Sequence, residues 1–366
     1  MRQLLNRQLT KELEQHVGSK QLEKADAFPV STYRQLVEQV AKLSYSNMEC
    51  LLFYRGQGTD FRNKAGASTF YPAIYRGDYL PQRELNDRFR LLEDASRQLR
   101  ELFTSEGVQG AEELRWKIHI QWSILQHYQV CATPLIDLTH SLWVACSFAQ
   151  LEAKGPEGFV YVFGFPYVMN RISHNSEHDI VNVRLLSICP PEALRPYFQE
   201  GYLAATEDIT NEYDDKSDLD FNRRLIAKFS IPGAQTFWGR GFGRLPESVL
   251  YPKGDRIAKL CSAIEVTIRR GLLPAELGTF IQLWADLDSA LLEMAARPEA
   301  RLLSTREAIE QLSRKGLIDR DLSYSLHELR KFRNKVVHEP KKIPLEEIDD
   351  RTEQLRRAIA RLRQDA

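Results

Sequence analysis

Apolar residues recur along this chain in two rhythms, and the change between them divides it. In the first, short apolar runs stop at turn residues. Cys50-Leu51-Leu52-Phe53-Tyr54 ends at Arg55-Gly56, and Gly158–Phe165 reads GFVYVFGF, aromatic and β-branched. Such runs predict buried strands, and Ile180–Ile188 and Arg224–Ile231 predict two more. Helical stretches lie between them. They are Ser31–Leu43 with Ser31 as its N-cap, the charged segment 80–129, and the apolar Ser141–Leu151. The first 30 residues are polar with scattered leucines and predict a helical lead-in that closes at Phe28-Pro29.

The second rhythm begins near Asp255. Strand-like runs and glycine turns nearly vanish, and i, i+3/i+4 spacing takes over, as in Leu283, Leu287, Ala290, Leu291 and Met294. Leu250-Tyr251-Pro252-Lys253-Gly254 punctuates the change. The expected organisation is a lead-in over 1–30, a mixed domain over 31–255 and an all-α bundle over 256–366, which makes the chain α+β.

Composition narrows the reading. With 366 residues the chain can bury a full core without staples. Its 50 Lys+Arg balance 50 Asp+Glu, so bulk charge does not hold it to a polyanion, although a local basic site is compatible with that balance. No apolar run reaches the roughly 18 residues of a bilayer span. The N-terminal MRQLLNRQLTKELEQ lacks the apolar core of a secretory signal. A cytoplasmic protein away from membranes is expected. Five widely spaced cysteines without a CxxC fit reduced thiols.

Four segments carry the candidate chemistry of the first domain. They are Phe53-Tyr54-Arg55-Gly56-Gln57; Tyr71-Pro72-Ala73-Ile74-Tyr75-Arg76; Gln126-His127-Tyr128 with Thr133-Pro134-Leu135-Ile136-Asp137-Leu138-Thr139; and Arg195-Pro196-Tyr197-Phe198-Gln199-Glu200-Gly201-Tyr202. In this order, over about residues 33–255, they resemble the FRG domain family, named for an aromatic-Arg-Gly motif. Gln129 stands where the family usually has glycine, and the segment after it is one residue longer. The order of elements is also loosely similar to the ADP-ribosyltransferase superfamily. That likeness implies NAD as substrate, and the FRG resemblance implies a bacterial defence or toxin–antitoxin setting. Arg55 would hold the diphosphate or ribose, Tyr128 would face the nicotinamide, and Glu200 would stabilise the oxocarbenium-like centre. His127 joins them as a candidate catalytic residue; Gly56, Gln57, Arg76, Asp137, Thr139, Arg195 and Gln199 are supporting. The same residues have structural readings. Arg55 can pair with Asp137, Asp137 can cap the helix near Ser141, His127 can be an interior histidine and Glu200 an exposed turn carboxylate.

In the tail, Leu322, Leu326, Leu329 and Val336 form one apolar stripe. At about 100° per residue, Arg333 falls within about 20° of Leu326. Asn334 and His338 share a face, and Pro340 places His338 near the helix end. The run Leu326–His338 resembles the signature of HEPN domains, over about residues 256–363. The resemblance implies a helical bundle, a homodimer and metal-independent RNA cleavage, with Arg333 and His338 catalytic and Asn334 supporting. The same arrangement serves a bundle that only binds a protein partner or dimerises.

Three further patterns are set aside. His174-Asn175-Ser176-Glu177-His178 matches a zinc-enzyme spacing, but its surroundings lack helical periodicity, so a polar loop is expected and no metal. The acidic stretch Glu207–Asp220 reads as a solvated loop. Gly239-Arg240-Gly241-Phe242-Gly243-Arg244 is basic and suited to approach a phosphate backbone, yet lacks a P-loop frame.

Overall fold

The structure is a computed structural model. It describes residues 5–364 apart from 78, 79, 168, 169, 208, 210, 211, 213, 214, 296–303, 339–342 and 344, and leaves out the side chains of 269–276, 337, 338, 345, 346, 363 and 364. The chain divides into two compact units, Met1–Glu265 and Val266–Ala366.

The first unit is α+β. Its strands are β1 (Phe28–Pro29), β2 (Leu51–Gln57), β3 (Ile136–Thr139), β4 (Glu157–Phe165), β5 (Ile172–Asn175), β6 (Ile180–Arg184), β7 (Gly201–Ala205) and β8 (Leu225–Pro232). They form one eight-stranded sheet in the order β1-β8-β4-β2-β3-β7-β6-β5. Strand β1 runs parallel to β8 and the other neighbours are antiparallel. The helices are α1 (Lys11–Val17), α2 (Tyr33–Ser46), α3 (Gln82–Ser105), α4 (Ala111–Trp116), α5 (Ile118–His127), α6 (Leu142–Leu151), α7 (Leu185–Ile188), α8 (Arg195–Phe198) and α9 (Glu247–Leu250). Helix α10 (Arg256–Ala295) runs through the division, and α11 (Thr305–Arg314), α12 (Arg320–His338) and α13 (Leu345–Gln364) follow.

Alternation along β4 sets the two faces of the sheet. Val160 and Val162 pack with Leu36, Leu43, Ala145 and Ala149 of α2 and α6. Tyr161, Phe163 and Phe165 pack on the other face with Phe53, Phe70 and Phe221.

Helix α6 lies unusually close to the sheet. A Cβ on Gly56 would stand 1.8 Å from the Ala145 carbonyl oxygen, one on Gly58 2.0 Å from that of Glu152, and one on Gly158 2.4 Å from that of Ala149. Three glycines therefore form the trough in which the small-residue face of α6 rests.

Strands β2 and β4 pair over seven residues, whereas β2 and β3 pair only at Tyr54 and Thr139. The sheet splays there, and the Arg55 side chain enters the gap: its Nη1 donates to the Asp137 backbone carbonyl at 2.6 Å.

Several expectations need correction. The lead-in is part of the first core, because Leu13 and Val17 are buried in the two face clusters and β1 joins the sheet. Thr32 caps α2, since it is the Thr32 hydroxyl that accepts from the Gln35 amide at 3.2 Å, while the Ser31 amide donates to the Gln35 side chain. The strand expected over 180–188 stops at Arg184 and turns into α7. His174 stands on β5, and His178 follows in the turn before β6. The unit boundary falls ten residues beyond Asp255, because the first turns of α10 belong to the first core. Arg256 pairs with Glu192 at 2.7 Å and Glu106 at 3.4 Å, and Ile257, Cys261 and Ile264 are buried. Part of the acidic stretch 207–220 lies outside the described residues.

The second unit packs Trp284, Leu287, Leu291, Ile309, Leu312, Leu326, Phe332, Val336, Ile348 and Leu355 into one core. A capping box starts α11, with Ser304 and Glu307 satisfying each other's backbone amides. Among the described residues, no helix is long and apolar enough to cross a membrane.

Candidate active site

The gap between β2 and β3 opens into a cavity of about 150 Å³. Tyr54, Arg55, Gly56, Gln126, His127, Gln129, Asp137, Thr139, Phe148, Glu152, Gln199, Gly201 and Tyr251 are among its walls. That volume holds a group the size of one aromatic ring. The Asp137 side chain keeps 40% of its surface, so the cavity is open to ligand and water.

Asp137 is the most constrained group. Its Oδ2 accepts from Gln126 Nε2 at 2.7 Å, and Gln126 Oε1 in turn accepts from the Thr133 hydroxyl at 2.6 Å. Its Oδ1 lies 3.4 Å from His127 Nδ1. Desolvation at the cavity floor pushes the carboxyl up, but the His127 and Gln126 hydrogen bonds and the Arg55 charge outweigh it, and the net effect holds Asp137 below its ordinary value. Glu152, at the C-terminal end of α6, goes the other way. Burial raises its pKa against the pull of Arg55 and the Gly58 amide, with the Asp137 charge adding to the rise. One cavity thus holds two carboxyls pushed in opposite directions, an arrangement that separates acid and base roles.

His127 is 6% exposed, and its Nε2 is buried without a hydrogen-bond partner among the described residues. In the neutral ring, a proton on Nδ1 serves Asp137 and leaves Nε2 as a bare acceptor, whereas an Nε2–H would be an orphaned donor. His127 therefore positions Asp137.

The remaining expected residues separate into those at the cavity and those behind it. Arg55, Gly56, His127, Asp137, Thr139 and Gln199 come together at the wall. The Thr139 hydroxyl is already engaged, donating to the Gln199 carbonyl at 2.9 Å and accepting from the Ser141 amide at 3.0 Å. Gln199 Nε2 donates to the Leu250 carbonyl at 2.8 Å. Gln57 is buried in β2 outside the wall. Arg76 donates to the Tyr71 carbonyl at 3.2 Å; surrounding protein and then the charge of Arg55 lower its pKa, with Asp137 opposing.

Tyr128 and Glu200 do not take the places expected of them. The Tyr128 hydroxyl donates to Asp255 Oδ2 at 2.8 Å, and the Arg195 guanidinium covers its ring at 4.8 Å. The same guanidinium lies 4.9 Å from the centre of the Tyr251 ring and donates to the His127 carbonyl at 3.0 Å, so Arg195 braces the wall from behind. Glu200 is exposed, takes a left-handed φ of 46° and does not line the cavity. Gln129 has φ 58°, the conformation in which glycine is least strained.

Sequence reasoning missed Glu152, Tyr251, Gln126 as a ligand of Asp137, and Asp255. Asp255 is 3% exposed and accepts from Tyr128, from the Leu194 and Arg195 amides and from the Ala258 amide. The available signal for it was a helix-start aspartate just after Pro252-Lys253-Gly254.

In the second unit, Arg333 is half-buried and donates to Asn334 Oδ1 at 3.3 Å, and Asn334 is exposed. His338 ends α12, and its side chain lies outside the described residues. Among the described residues, no three His, Cys, Asp or Glu side chains are grouped to hold a metal ion. No protein-family model, curated protein or solved structure matches the chain.

Proposed function

We propose that the first unit is an enzyme that takes NAD in the Arg55 cavity and transfers its ADP-ribose to a target. The observation that carries this reading is the meeting of Arg55, Asp137 and Glu152 on one open, ring-sized cavity. The nicotinamide enters against Tyr54 and Tyr251, in the role expected of Tyr128. Arg55 offers a cation to the diphosphate or ribose. Asp137, kept charged, faces the oxocarbenium-like centre in the role expected of Glu200. The glycosidic C–N bond breaks and its electron pair leaves with nicotinamide. The acceptor's nucleophile then bonds to the ribose carbon and gives its proton to Glu152. The FRG-like fold and a cytoplasmic defence or toxin-type role accompany this reading.

The test is nicotinamide release from NAD with cell extract as acceptor. Asp137→Asn and Glu152→Gln are each expected to lower release about 100-fold or more, and Glu200→Gln to leave it unchanged. Absence of release by the unaltered protein, or its loss in Glu200→Gln alone, overturns the assignment.

A second reading concerns the bundle. The half-buried Arg333 held by Asn334, one turn before His338, favours a HEPN-like ribonuclease acting as a homodimer. It requires RNA cleavage that survives a chelator and disappears in His338→Ala.

A further inference from the structure

The loop Gly239–Arg244 plays no part in the cavity described above, yet it is a built element. Gly239 and Gly241 take φ of 85° and 74°, conformations that glycine adopts without strain. Side chains then pin its backbone. Trp143 Nε1 donates to the Gly243 carbonyl at 2.7 Å, Gln235 Nε2 donates to the Phe242 carbonyl at 3.1 Å, and the Leu245 amide donates to the Ser147 hydroxyl at 2.9 Å. Phe242 folds back onto three rings, with centroids 4.9 Å from Trp143, 5.4 Å from Tyr33 and 5.6 Å from Trp238. The platform is not sealed: Phe242 keeps 38% of its surface, and Tyr33 and Trp143 are half-buried.

The charges within the loop have one sign. Arg240 and Arg244 are exposed, and neither has an ion pair or hydrogen bond among the described residues. No acidic residue lies between Phe229 and Pro246, and the exposed Glu247 follows at the start of α9. In a chain of zero net charge, this is a local cationic loop beside partly exposed aromatic rings.

We propose that this loop docks single-stranded nucleic acid, with Arg240 and Arg244 on successive phosphates and a base stacked on the Phe242–Trp143–Tyr33 surface. Guanidinium and aromatic faces together match a chain that presents phosphates and unstacked bases. A duplex hides its base faces, and an acidic peptide uses the arginines but leaves the rings without a partner. Because the loop is held in place before the ligand arrives, little ordering cost remains at binding. The site stands independently of the NAD reading.

The test is fluorescence anisotropy of the full chain with a labelled oligouridine of about 12 nucleotides. Two phosphate contacts predict that raising salt from about 50 to about 200 mM weakens the loop's share of binding about sevenfold. Arg240→Gln with Arg244→Gln is expected to lower the salt slope by about 1.4 and to weaken binding at the lower salt. Phe242→Leu, which keeps apolar contact with Trp143, is expected to weaken binding about tenfold through lost stacking. Circular dichroism checks that both variants remain folded. The proposal is overturned if the arginine double variant binds like the unaltered chain. It is equally overturned if a duplex binds as tightly as the single strand, or if a polyglutamate peptide displaces the RNA at equal concentration; the last result would make the loop a protein-docking site.

Discussion

Asp220 shows how one side chain ties stability to pH. It is 1% exposed, and its Oδ1 accepts from the Phe70 amide at 2.8 Å and the Asn222 amide at 2.9 Å. Burial dominates over these bonds and pushes its pKa up to about 6. Because the folded pKa lies above the unfolded one, the folded state binds the extra proton between about pH 4 and pH 6. Its favourable contribution is complete below the unfolded pKa and is lost as pH rises through the folded value. At pH 7 the charged form therefore costs of the order of 2–3 kcal/mol. Asp220→Asn keeps an acceptor for both amides and removes that charge. Urea unfolding is expected to give the variant a higher midpoint at pH 7.5 and one matching the parent near pH 4. A lower midpoint at pH 7.5 would mean that the amide bonds to the carboxylate outweigh its desolvation. Single residues were also where sequence reading was most uneven. Arg55, His127, Asp137 and Gln199 were legible because each stands in a motif. Tyr128 was misread because the partner that fixes it, Asp255, is 127 positions away. Glu152 follows an ordinary helix and carries no motif at all.

At the scale of elements, the Arg-Gly pair in β2 joins two functions that the sequence shows only as neighbours. Arg55 fills the gap left by a missing ladder with β3, and Gly56 lets α6 rest against the sheet. The trough also carries the end of α6, and with it Glu152, to the cavity. A Cβ at Gly56 would meet backbone at 1.8 Å, which no side-chain rotation relieves. Gly56→Ala is expected to destabilise the first unit by about 3 kcal/mol or more and, under the proposed function, to abolish nicotinamide release. Gly155→Ala, with nothing within 4 Å of its new Cβ, serves as the control and should stay within about 0.5 kcal/mol of the parent. Thermal melts of the two variants make the comparison, and equal losses would refute the close-packing account. Strands β2, β4, β6 and β8 were legible from their aromatic and β-branched runs, and α6 from its apolar spacing, whereas the short β1, β3, β5 and β7 were not. The trough was not, because a close approach of backbones leaves no hydrophobic pattern. Lys228 illustrates the same limit within β8. It is 1% exposed and donates to the Ser68 hydroxyl at 2.8 Å, which in turn donates to Asp60 at 2.6 Å, partners that no local pattern could nominate.

For the whole chain, hydrophobic rhythm located the passage from mixed to helical structure but placed the end of the first unit too early. Periodicity reports where a helix starts, whereas the boundary depends on what its first turns touch. Helix α10 begins at Arg256, and its opening residues finish the first core rather than begin the second. Ile257 and Ile264 are 0% and 2% exposed, and burying each contributes about 1.5–3 kcal/mol. Asp255 meanwhile binds the Ala258 amide at 3.0 Å while holding Tyr128 and the start of α8. A chain ended at Asp255 loses these contacts together, by about 3–6 kcal/mol from the two isoleucines alone. For a unit of this size that corresponds to a fall in Tm of about 5–10 °C. A chain ended at Glu265 retains them and should melt in one transition at the temperature of the first unit within the full protein. Circular dichroism melts of the two shortened chains beside the parent distinguish the cases. Equal Tm values for both would show that the first core closes at Asp255, and that the opening turns of α10 serve only as a connection.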